Sequence, residues 1–314
     1  MVVAGFLDIT NAYGDVHVAG TVRCLDNFGL PVNYNELIWE LTKQKESHYL
    51  LNGEVSRIRT TRSGLSQGLP TAPILYNLDT ASIDSVLEEG VQLLQFADDQ
   101  VFFCAEKIVE VAERKIQRTI NNLMNWVATK GFNFSVEKSE IVVFSRKHKD
   151  PEVRINMNDM ILTQSPIFRY LGVQLDRKLI MKAHVEQVQF SCKKAINCLR
   201  SIAGKSWGMD PTCMLMLYKG LIRSKLEYCA FVYSKKNCHV KQLEKIQWRA
   251  LRCCTGLMQS SHTQAVEIIA GIPPLRERFQ YLTQRFLNIC GTQPHHPLPA
   301  LLATGRTKKP CSFS

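Results

Sequence analysis

Several features that would place this chain in other classes of protein are missing from its sequence. It contains no apolar run of about eighteen residues, so no helix that spans a membrane is predicted. Its N-terminus lacks the basic region, long apolar stretch and small-residue cleavage site of a secretory signal. The 11 cysteines are scattered without a Cys-x-x-Cys pair, which favours neither a disulfide scaffold nor a zinc site. We therefore expect reduced thiols, an intracellular location, and neither a membrane nor a disulfide partner.

Acidic residues are scarce in the second half of the chain. Residues 1–150 contain 15 lysines and arginines against 19 aspartates and glutamates, whereas residues 151–314 contain 24 against 9. This asymmetry predicts a metal-dependent catalytic part joined to a part that binds nucleic acid through its phosphates. A basic, solvated surface without a partner is the alternative for the second half. With 314 residues and 45% hydrophobic composition, the chain has enough apolar material for two globular domains.

Two adjacent carboxylates, Asp98 and Asp99, lie between two apolar, β-prone runs over residues 91–97 and 101–104. This pattern predicts a tight β-hairpin with both acids at its tip. Adjacent like charges repel and lose solvation beside buried strands, so a divalent cation is the neighbour we expect. A solvated turn without function is the plainer alternative.

A third carboxylate, Asp8, ends an apolar run over residues 2–9 that reads as a buried strand. If the fold brings Asp8 to the hairpin, three carboxylates could hold the paired metal ions that phosphoryl transfer uses. Taken alone, an aspartate after a strand is more commonly a helix cap. The residues therefore predict a paired-metal site only if the three acids meet.

Five segments occur in a fixed order along the chain. They are residues 6–13 (FLDITNAY), 64–77 (GLSQGLPTAPILYN), 96–99 (FADD), 131–139 (GFNFSVEKS) and 168–176 (FRYLGVQLD). This series resembles the palm motifs of reverse transcriptases from non-LTR (LINE-type) retrotransposons, especially jockey-like elements. The resemblance extends over about residues 1–290.

The resemblance implies an α+β fold. It predicts a polymerase palm with a ferredoxin-like split β-α-β antiparallel sheet and helices over residues 1–177, and an all-α thumb over residues 178–291. Residues 292–314 are predicted to be a disordered tail. The implied activity is RNA-directed DNA polymerisation, with an RNA template, a DNA primer, deoxynucleoside triphosphates and two Mg²⁺ ions. From the reduced cysteines and the lack of a signal peptide we expect a nuclear location.

Roles in the reaction also follow from the resemblance. Asp8, Asp98 and Asp99 match the carboxylates that bind the metal ions. Lys138 matches a lysine that protonates the leaving pyrophosphate, a role that requires a lowered pKa.

Three further residues match positions that contact the substrates. Tyr13 matches the aromatic residue whose ring blocks a ribose 2′-hydroxyl, so that deoxynucleotides are preferred. Gln67 and Gly68 match the loop beneath the templating base and the primer, where glycine lets the backbone approach nucleic acid closely. Gly14 departs from the family, which usually has aspartate there, and we expect it to loosen the helix that follows.

In the family, a basic fingers region precedes the first aspartate, whereas Asp8 lies almost at the start of this sequence. We therefore interpret the sequence as truncated at its N-terminus. The alternative function is a catalytically inactive remnant that only binds nucleic acid. A DNA-templated polymerase is a third hypothesis, against which Tyr13 and the glutamine-glycine loop argue.

Hydrophobic periodicity predicts further elements. In the first half we predict helices over residues 11–30, 71–89 and 108–129, and a strand over residues 141–144. In the second half the predicted helices span residues 181–203, 211–228, 240–255, 263–270 and 275–290.

Overall fold

The computed structural model describes residues 1–27, 29–43, 45–61, 64–66, 68–147, 151–204, 207–293 and 296–304. The chain divides into two compact units. Unit 1 comprises Met1–Phe168 with Arg177–Leu179, and unit 2 comprises Arg169–Asp176 with the chain from Ile180 onward. No helix in these ranges is long and apolar enough to cross a membrane. Every cysteine that the structure describes is a free thiol.

A five-stranded sheet forms the centre of unit 1, with the strand order β11 (Thr163–Gln164), β8 (Phe134–Phe144), β1 (Val2–Ile9), β7 (Asp99–Ala105) and β6 (Val91–Phe96). The middle strand β1 is antiparallel to β7 on one side and to β8 on the other. The strand β6 pairs antiparallel with β7, and β11 pairs parallel with β8. The predicted α+β fold and the hairpin at Asp98 are confirmed.

The helices of unit 1 cover one face of this sheet. Leu7 and Phe102 are buried with residues of α4 (Val109–Lys130) in one hydrophobic core. Because successive side chains of a strand point to opposite faces, Asp8 and Asp99 lie on the other face. This amphipathic helix was predicted over residues 108–129, within a residue of its observed bounds at each end.

The other elements of unit 1 are short. Its remaining helices are α1 (Val18–Asn27), α2 (Val32–Thr42) and α3 (Ala72–Thr80), the last continued by a 3₁₀ helix over Ala81–Val86. Its remaining strand pairs are β2 (Lys45–Ser47) with β5 (Arg59–Thr61), β3 (Leu50–Leu51) with β4 (Glu54–Val55), and β9 (Asn156–Met157) with β10 (Met160–Ile161). The strands β12 (Ile167–Tyr170) and β13 (Val173–Asp176) form a last two-stranded sheet; β12 begins in unit 1 and ends in unit 2, and β13 belongs to unit 2.

The helix predicted from residue 11 is wrong at its start. Asn11 has a φ of 49°, and its carbonyl oxygen accepts hydrogen bonds from the N–H groups of both Gly14 and Asp15. The result is a turn over residues 10–14, and α1 begins only at Val18. Gly14 therefore lies in a turn and not inside a helix. The other misplaced bounds are the α-helix predicted over residues 71–89, which ends at Thr80, and the strand predicted over 141–144, which begins at Phe134.

Unit 2 is helical. Its helices are α5 (Lys182–Ile202), α6 (Pro211–Tyr218), a π-helical turn (Lys219–Arg223), α7 (Ser224–Glu227), α8 (Ala230–Tyr233), α9 (Asn237–Thr255), α10 (Thr263–Ala270), α11 (Leu275–Thr292) and α12 (Pro297–Thr304). The five helices predicted between residues 181 and 290 are confirmed. A helix occupies residues 297–304, where the sequence predicted a disordered tail, and residues 305–314 lie outside the described ranges.

Candidate active site

The register of the central sheet brings two distant acids together. Asp8 on β1 and Asp99 on β7 are direct partners across the antiparallel ladder, 91 positions apart in sequence. Directly opposed residues of such a pair have Cβ atoms about 4.5–5.5 Å apart. Like charges in this arrangement destabilise a sheet, which indicates that folding stability is not the reason for this pair.

The third acid, Asp98, lies in the two-residue turn that joins β6 to β7. Phe96 pairs with Asp99 across the base of this turn. Ala97, the first turn residue, has a φ of 53°, a left-handed conformation that costs a non-glycine residue about 1–2 kcal/mol. The Gln95 side chain supports the turn by donating to the Thr80 hydroxyl at 2.9 Å. Backbone strain is thus held at the turn that carries Asp98.

The three carboxylates influence one another electrostatically. The carboxyl pKa of Asp99 is raised, first because burial disfavours its charged form and then because the charges of Asp98 and Asp8 lie nearby. Among the described residues, however, no three histidine, cysteine, aspartate or glutamate side chains are already arranged to hold a metal ion. Carboxylate oxygens are the donors that Mg²⁺ prefers, and a cation would relieve the mutual repulsion of these acids. The residues therefore fit a magnesium site in chemistry and position, although their side chains are not arranged as ligands.

Lys138 reaches this cluster through an irregularity in β8. The ladder between β1 and β8 shifts register between Phe6 and Asp8, where Phe6 pairs with Glu140 and Asp8 with Ser135. The extra β8 residues bend the strand, as bulges beside active sites commonly do. The Lys138 ammonium lies 3.3 Å from the Asp8 carboxylate, although 70% of its side chain is exposed. The structure thus pairs Lys138 with an acid of the cluster.

Tyr13 follows β1 and packs beside the hairpin. Its ring centroid lies 5.2 Å from that of Tyr76, a fully buried residue of α3. The pKa of the Tyr76 phenol is raised by burial and then by the charges of Asp98 and Tyr13, which indicates that all three side chains are close. Tyr13 itself is half-buried, so part of its ring remains accessible.

The loop that contains Gly68 is hydrogen-bonded to the segment that follows β1. The N–H of Leu65 donates to the Tyr13 carbonyl at 2.7 Å, and the N–H of Gly64 donates to the Val16 carbonyl at 3.0 Å. Gly64 must be glycine, because a Cβ there would lie 2.6 Å from the carbonyl oxygen of Gly14. These contacts fix the loop beside Tyr13.

Of the two loop residues predicted to contact nucleic acid, the structure describes only Gly68. Gly68 is exposed with a φ of 95°, a conformation that favours glycine, and a Cβ there would meet no atom within 4 Å. Gln67 lies outside the described residues. The backbone at Gly68 is therefore open to a ligand, while the predicted role of Gln67 stays a prediction.

Sequence reasoning gave no role to Tyr76 or Gln100. The Tyr76 hydroxyl and both polar atoms of the Gln100 amide are buried without a hydrogen-bond partner among the described residues. Each such group costs about 1–3 kcal/mol, so an apolar residue would be more stable at either position. Gln100 lies between Asp99 and the apolar run over residues 101–104, and a polar residue next to the paired acids is the signal by which it could have been found.

Replacing Asp99 by asparagine is expected to raise the free energy of unfolding at pH 7 by a few tenths to about 1 kcal/mol, because it removes a like-charge pair across two strands. The raised pKa of Asp99 means that its charge destabilises the fold as the pH rises above the ordinary value of 3.8. The gain should therefore vanish below that pH. Urea unfolding at pH 7 and pH 3 measures it, with the exposed Asp84→Asn as a control; a loss of stability at pH 7 would contradict the arrangement described.

An α+β sheet that carries acids at the β6–β7 hairpin and on the neighbouring strand β1 is the arrangement expected of a nucleotidyl-transfer domain, and comparison with known proteins agrees. Residues 2–175 match the family model described as "Reverse transcriptase (RNA-dependent DNA polymerase)". Because this match covers more than half of the 314 residues, the chain belongs to the reverse transcriptase family.

Curated relatives come from mobile elements of insects. The chain is 24% identical over 307 residues to an RNA-directed DNA polymerase from the mobile element jockey of Drosophila melanogaster. This alignment covers 93% of this chain and 32% of the relative. It is 23% identical over 256 residues to a probable RNA-directed DNA polymerase from transposon X-element of the same fly, covering 80% and 28%. The chain thus spans about a third of the length of these relatives. A solved apo telomerase of Candida tropicalis aligns with 98% of this chain and 52% of its own, at 11% identity and a TM-score of 0.45.

Proposed function

We propose that this chain is the catalytic portion of an RNA-directed DNA polymerase from a non-LTR retrotransposon of the jockey type. The observation that carries the proposal is the pairing of Asp8 with Asp99 beside the strained turn that presents Asp98. Those are the three acids that the family resemblance assigns to metal binding, and among the described residues Lys138 is their one ion-pair partner. The proposed substrates are an RNA template, a DNA primer and deoxynucleoside triphosphates.

Asp8, Asp98 and Asp99 would hold two Mg²⁺ ions through their carboxylate oxygens. Bound there, the ions would lower the pKa of the primer 3′-hydroxyl and neutralise charge on the triphosphate. Lys138, which pairs with Asp8, is within reach of the same space and would supply the proton for the leaving pyrophosphate. The three carboxylates would thus hold the metal ions, and the ammonium of Lys138 would supply the proton to the leaving group.

Tyr13, Gln67 and Gly68 would position the substrates. Tyr13 is half-buried against Tyr76, so its ring has a fixed place from which to exclude a 2′-hydroxyl. Gly68 leaves the backbone open to close approach by a nucleic-acid strand.

A second candidate function is nucleic-acid binding without polymerisation. The observation that favours it is the absence, in the described ranges, of three acidic or other ligating side chains arranged for a metal. The basic second half of the chain would serve this function equally well.

Primer extension separates these functions. The full chain is incubated with an RNA template, a DNA primer and deoxynucleoside triphosphates, with and without Mg²⁺. Magnesium-dependent extension supports the polymerase. Salt-sensitive binding of the primer–template without any extension supports the binding protein.

Replacing Tyr13 by valine is expected to weaken the discrimination against ribonucleotides by about 10- to 200-fold, because a pocket that loses steric bulk admits the extra hydroxyl. Incorporation of dATP and ATP by the same enzyme gives the ratio of kcat/KM values. Tyr34→Val, which changes an exposed tyrosine on α2, serves as the control. An unchanged ratio in Tyr13→Val would contradict the proposed role of the ring.

A further inference from the structure

Unit 2 contains a cavity of 880 Å³ near the end of α5, the start of α6 and the last turns of α9. Three arginines, Arg200, Arg249 and Arg252, line it together. The rest of the lining includes the apolar side chains of Met209, Met214 and Leu257. A concave site with an apolar wall and a few convergent polar groups is typical of small-ligand binding.

The three arginines have guanidinium N–H donors that could bind a ligand. Arg249 and Arg252 are three positions apart on α9 and therefore share a helix face. Arg252 donates from Nη2 to the Ser261 carbonyl at 2.8 Å, while its Nε is buried without a partner in the described part of the chain. Arg200 lies close to the half-buried Cys253, whose thiol pKa is raised by burial against the opposing charge of this guanidinium. Within the described ranges, none of the three arginines has an ion pair with an acid.

One carboxylate also lines the cavity. Asp210 is the N-cap of α6 and accepts a hydrogen bond from the N–H of Thr212 at 2.8 Å. Three guanidinium groups against this one carboxylate leave an excess of two positive charges. A phosphate monoester carries close to two negative charges and three acceptor oxygens, whereas a phosphodiester of a nucleic-acid backbone carries one charge.

We propose that this cavity binds a phosphate monoester, supplied either by a free nucleotide or by the 5′-phosphorylated end of a nucleic-acid strand. The guanidinium groups would hold the phosphate, and the apolar wall would contact the attached sugar or base. The site uses none of the three aspartates, so it goes beyond the proposed polymerase activity and does not depend on it.

Alkylation of Cys253 reports on occupancy, because this thiol lines the cavity. The full chain is treated with iodoacetamide, and each cysteine peptide is quantified by mass spectrometry. Deoxyadenosine monophosphate is expected to slow the labelling of Cys253 several-fold, whereas deoxyadenosine is not. Cys238, an exposed thiol of the same helix that does not line the cavity, should label at an unchanged rate.

Two oligonucleotides that differ only in carrying a 5′-phosphate or a 5′-hydroxyl show which molecule supplies the phosphate monoester. Each is tested for protection of Cys253 against alkylation. Protection by the phosphorylated strand alone assigns the monoester to a nucleic-acid end, and protection by the mononucleotide alone assigns it to a free nucleotide. Either result supports the proposal.

Variants connect the protection to the arginines. Arg200→Gln with Arg249→Gln is expected to weaken protection about tenfold or more for each guanidinium removed. Lys241→Gln with Lys245→Gln removes the same charge from exposed positions of α9. In this control variant, deoxyadenosine monophosphate should protect Cys253 as strongly as in the wild type. Protection of Cys253 should also be unchanged in Asp98→Asn, which distinguishes this site from the proposed polymerase site.

The proposal is overturned by any of three results: no protection by either phosphate monoester, equal protection by deoxyadenosine or by the hydroxyl-ended strand, or full protection in the double arginine variant.

Discussion

Replacing Asp98 by asparagine is expected to lower RNA-templated incorporation of deoxynucleotides by at least about a hundredfold. Asparagine keeps the shape of the side chain and its place in the turn, but it removes one of the negative charges that would hold Mg²⁺. Losing one preorganised electrostatic contact of this kind costs catalysis about 3–4 kcal/mol. The measurement is single-turnover primer extension with saturating substrates.

Two controls make that result specific. Asp84→Asn removes an exposed aspartate from the 3₁₀ helix after α3 and should extend primers at the wild-type rate. Binding of the primer–template by Asp98→Asn should persist in the absence of Mg²⁺, because the basic residues are unchanged. Extension by Asp98→Asn at the wild-type rate would end the assignment of this hairpin to catalysis.

Replacing Glu227 by glutamine is expected to destabilise unit 2 by about 2–3 kcal/mol. The Glu227 carboxylate accepts from Arg223 Nε at 2.5 Å and, in a two-pronged contact, from Arg278 Nε at 2.9 Å and Nη2 at 3.0 Å. Its side chain is only 18% exposed. Removing its charge leaves two largely buried guanidinium groups unpaired, which costs up to about 3–5 kcal/mol where burial is complete.

This effect should depend on pH. Burial alone would raise the pKa of Glu227, but the hydrogen bonds from Arg278 and Arg223 outweigh it and hold the pKa below its ordinary value of 4.5. A carboxyl with a lowered pKa stabilises the fold above its ordinary pKa and loses that contribution as the pH falls through the lowered one. The difference between wild type and Glu227→Gln should therefore be full at pH 7 and shrink below about pH 4.5.

Hydrogen exchange of α11 peptides measures this effect within unit 2. The matched control is Glu186→Gln, which breaks an ion pair with Lys182 at 3.8 Å whose side chains are 63% and 70% exposed. Such a surface pair contributes about 0.3–0.5 kcal/mol. Equal effects of the two substitutions would show that the contact of Glu227 with two arginines adds nothing beyond a surface pair.

Local patterns predicted the elements that depend on neighbouring residues in sequence. The hairpin of β6 and β7 follows from two β-prone runs that flank a two-residue turn, and α4 follows from apolar residues at helical spacing. The helices of unit 2 were predicted in the same way, because each buries one face of its own periodic pattern.

Long-range hydrogen bonds decided the elements that were predicted wrongly. The segment after β1 has no helix before Val18, because the carbonyl oxygens of Tyr13 and Val16 accept from the loop at Leu65 and Gly64. β8 begins at Phe134 because residues near its start pair with Asp8 and Ile9 across an irregular ladder. No window of local sequence contains both partners of such a contact.

The sequence by itself determined which residue types are present: two acids at a hairpin tip, a third at the end of a strand, and a strongly basic second half. Only the tertiary structure decided that Asp8 lies opposite Asp99, that Lys138 reaches Asp8 through a bulge, and that three arginines line one cavity. The physical reason is that strand register and helix packing are set by the burial of many apolar side chains at once. The burial of these apolar side chains fixes the positions of the charged residues as well. The interactions among the charged residues do not favour those positions, and for Asp8 and Asp99 they oppose them.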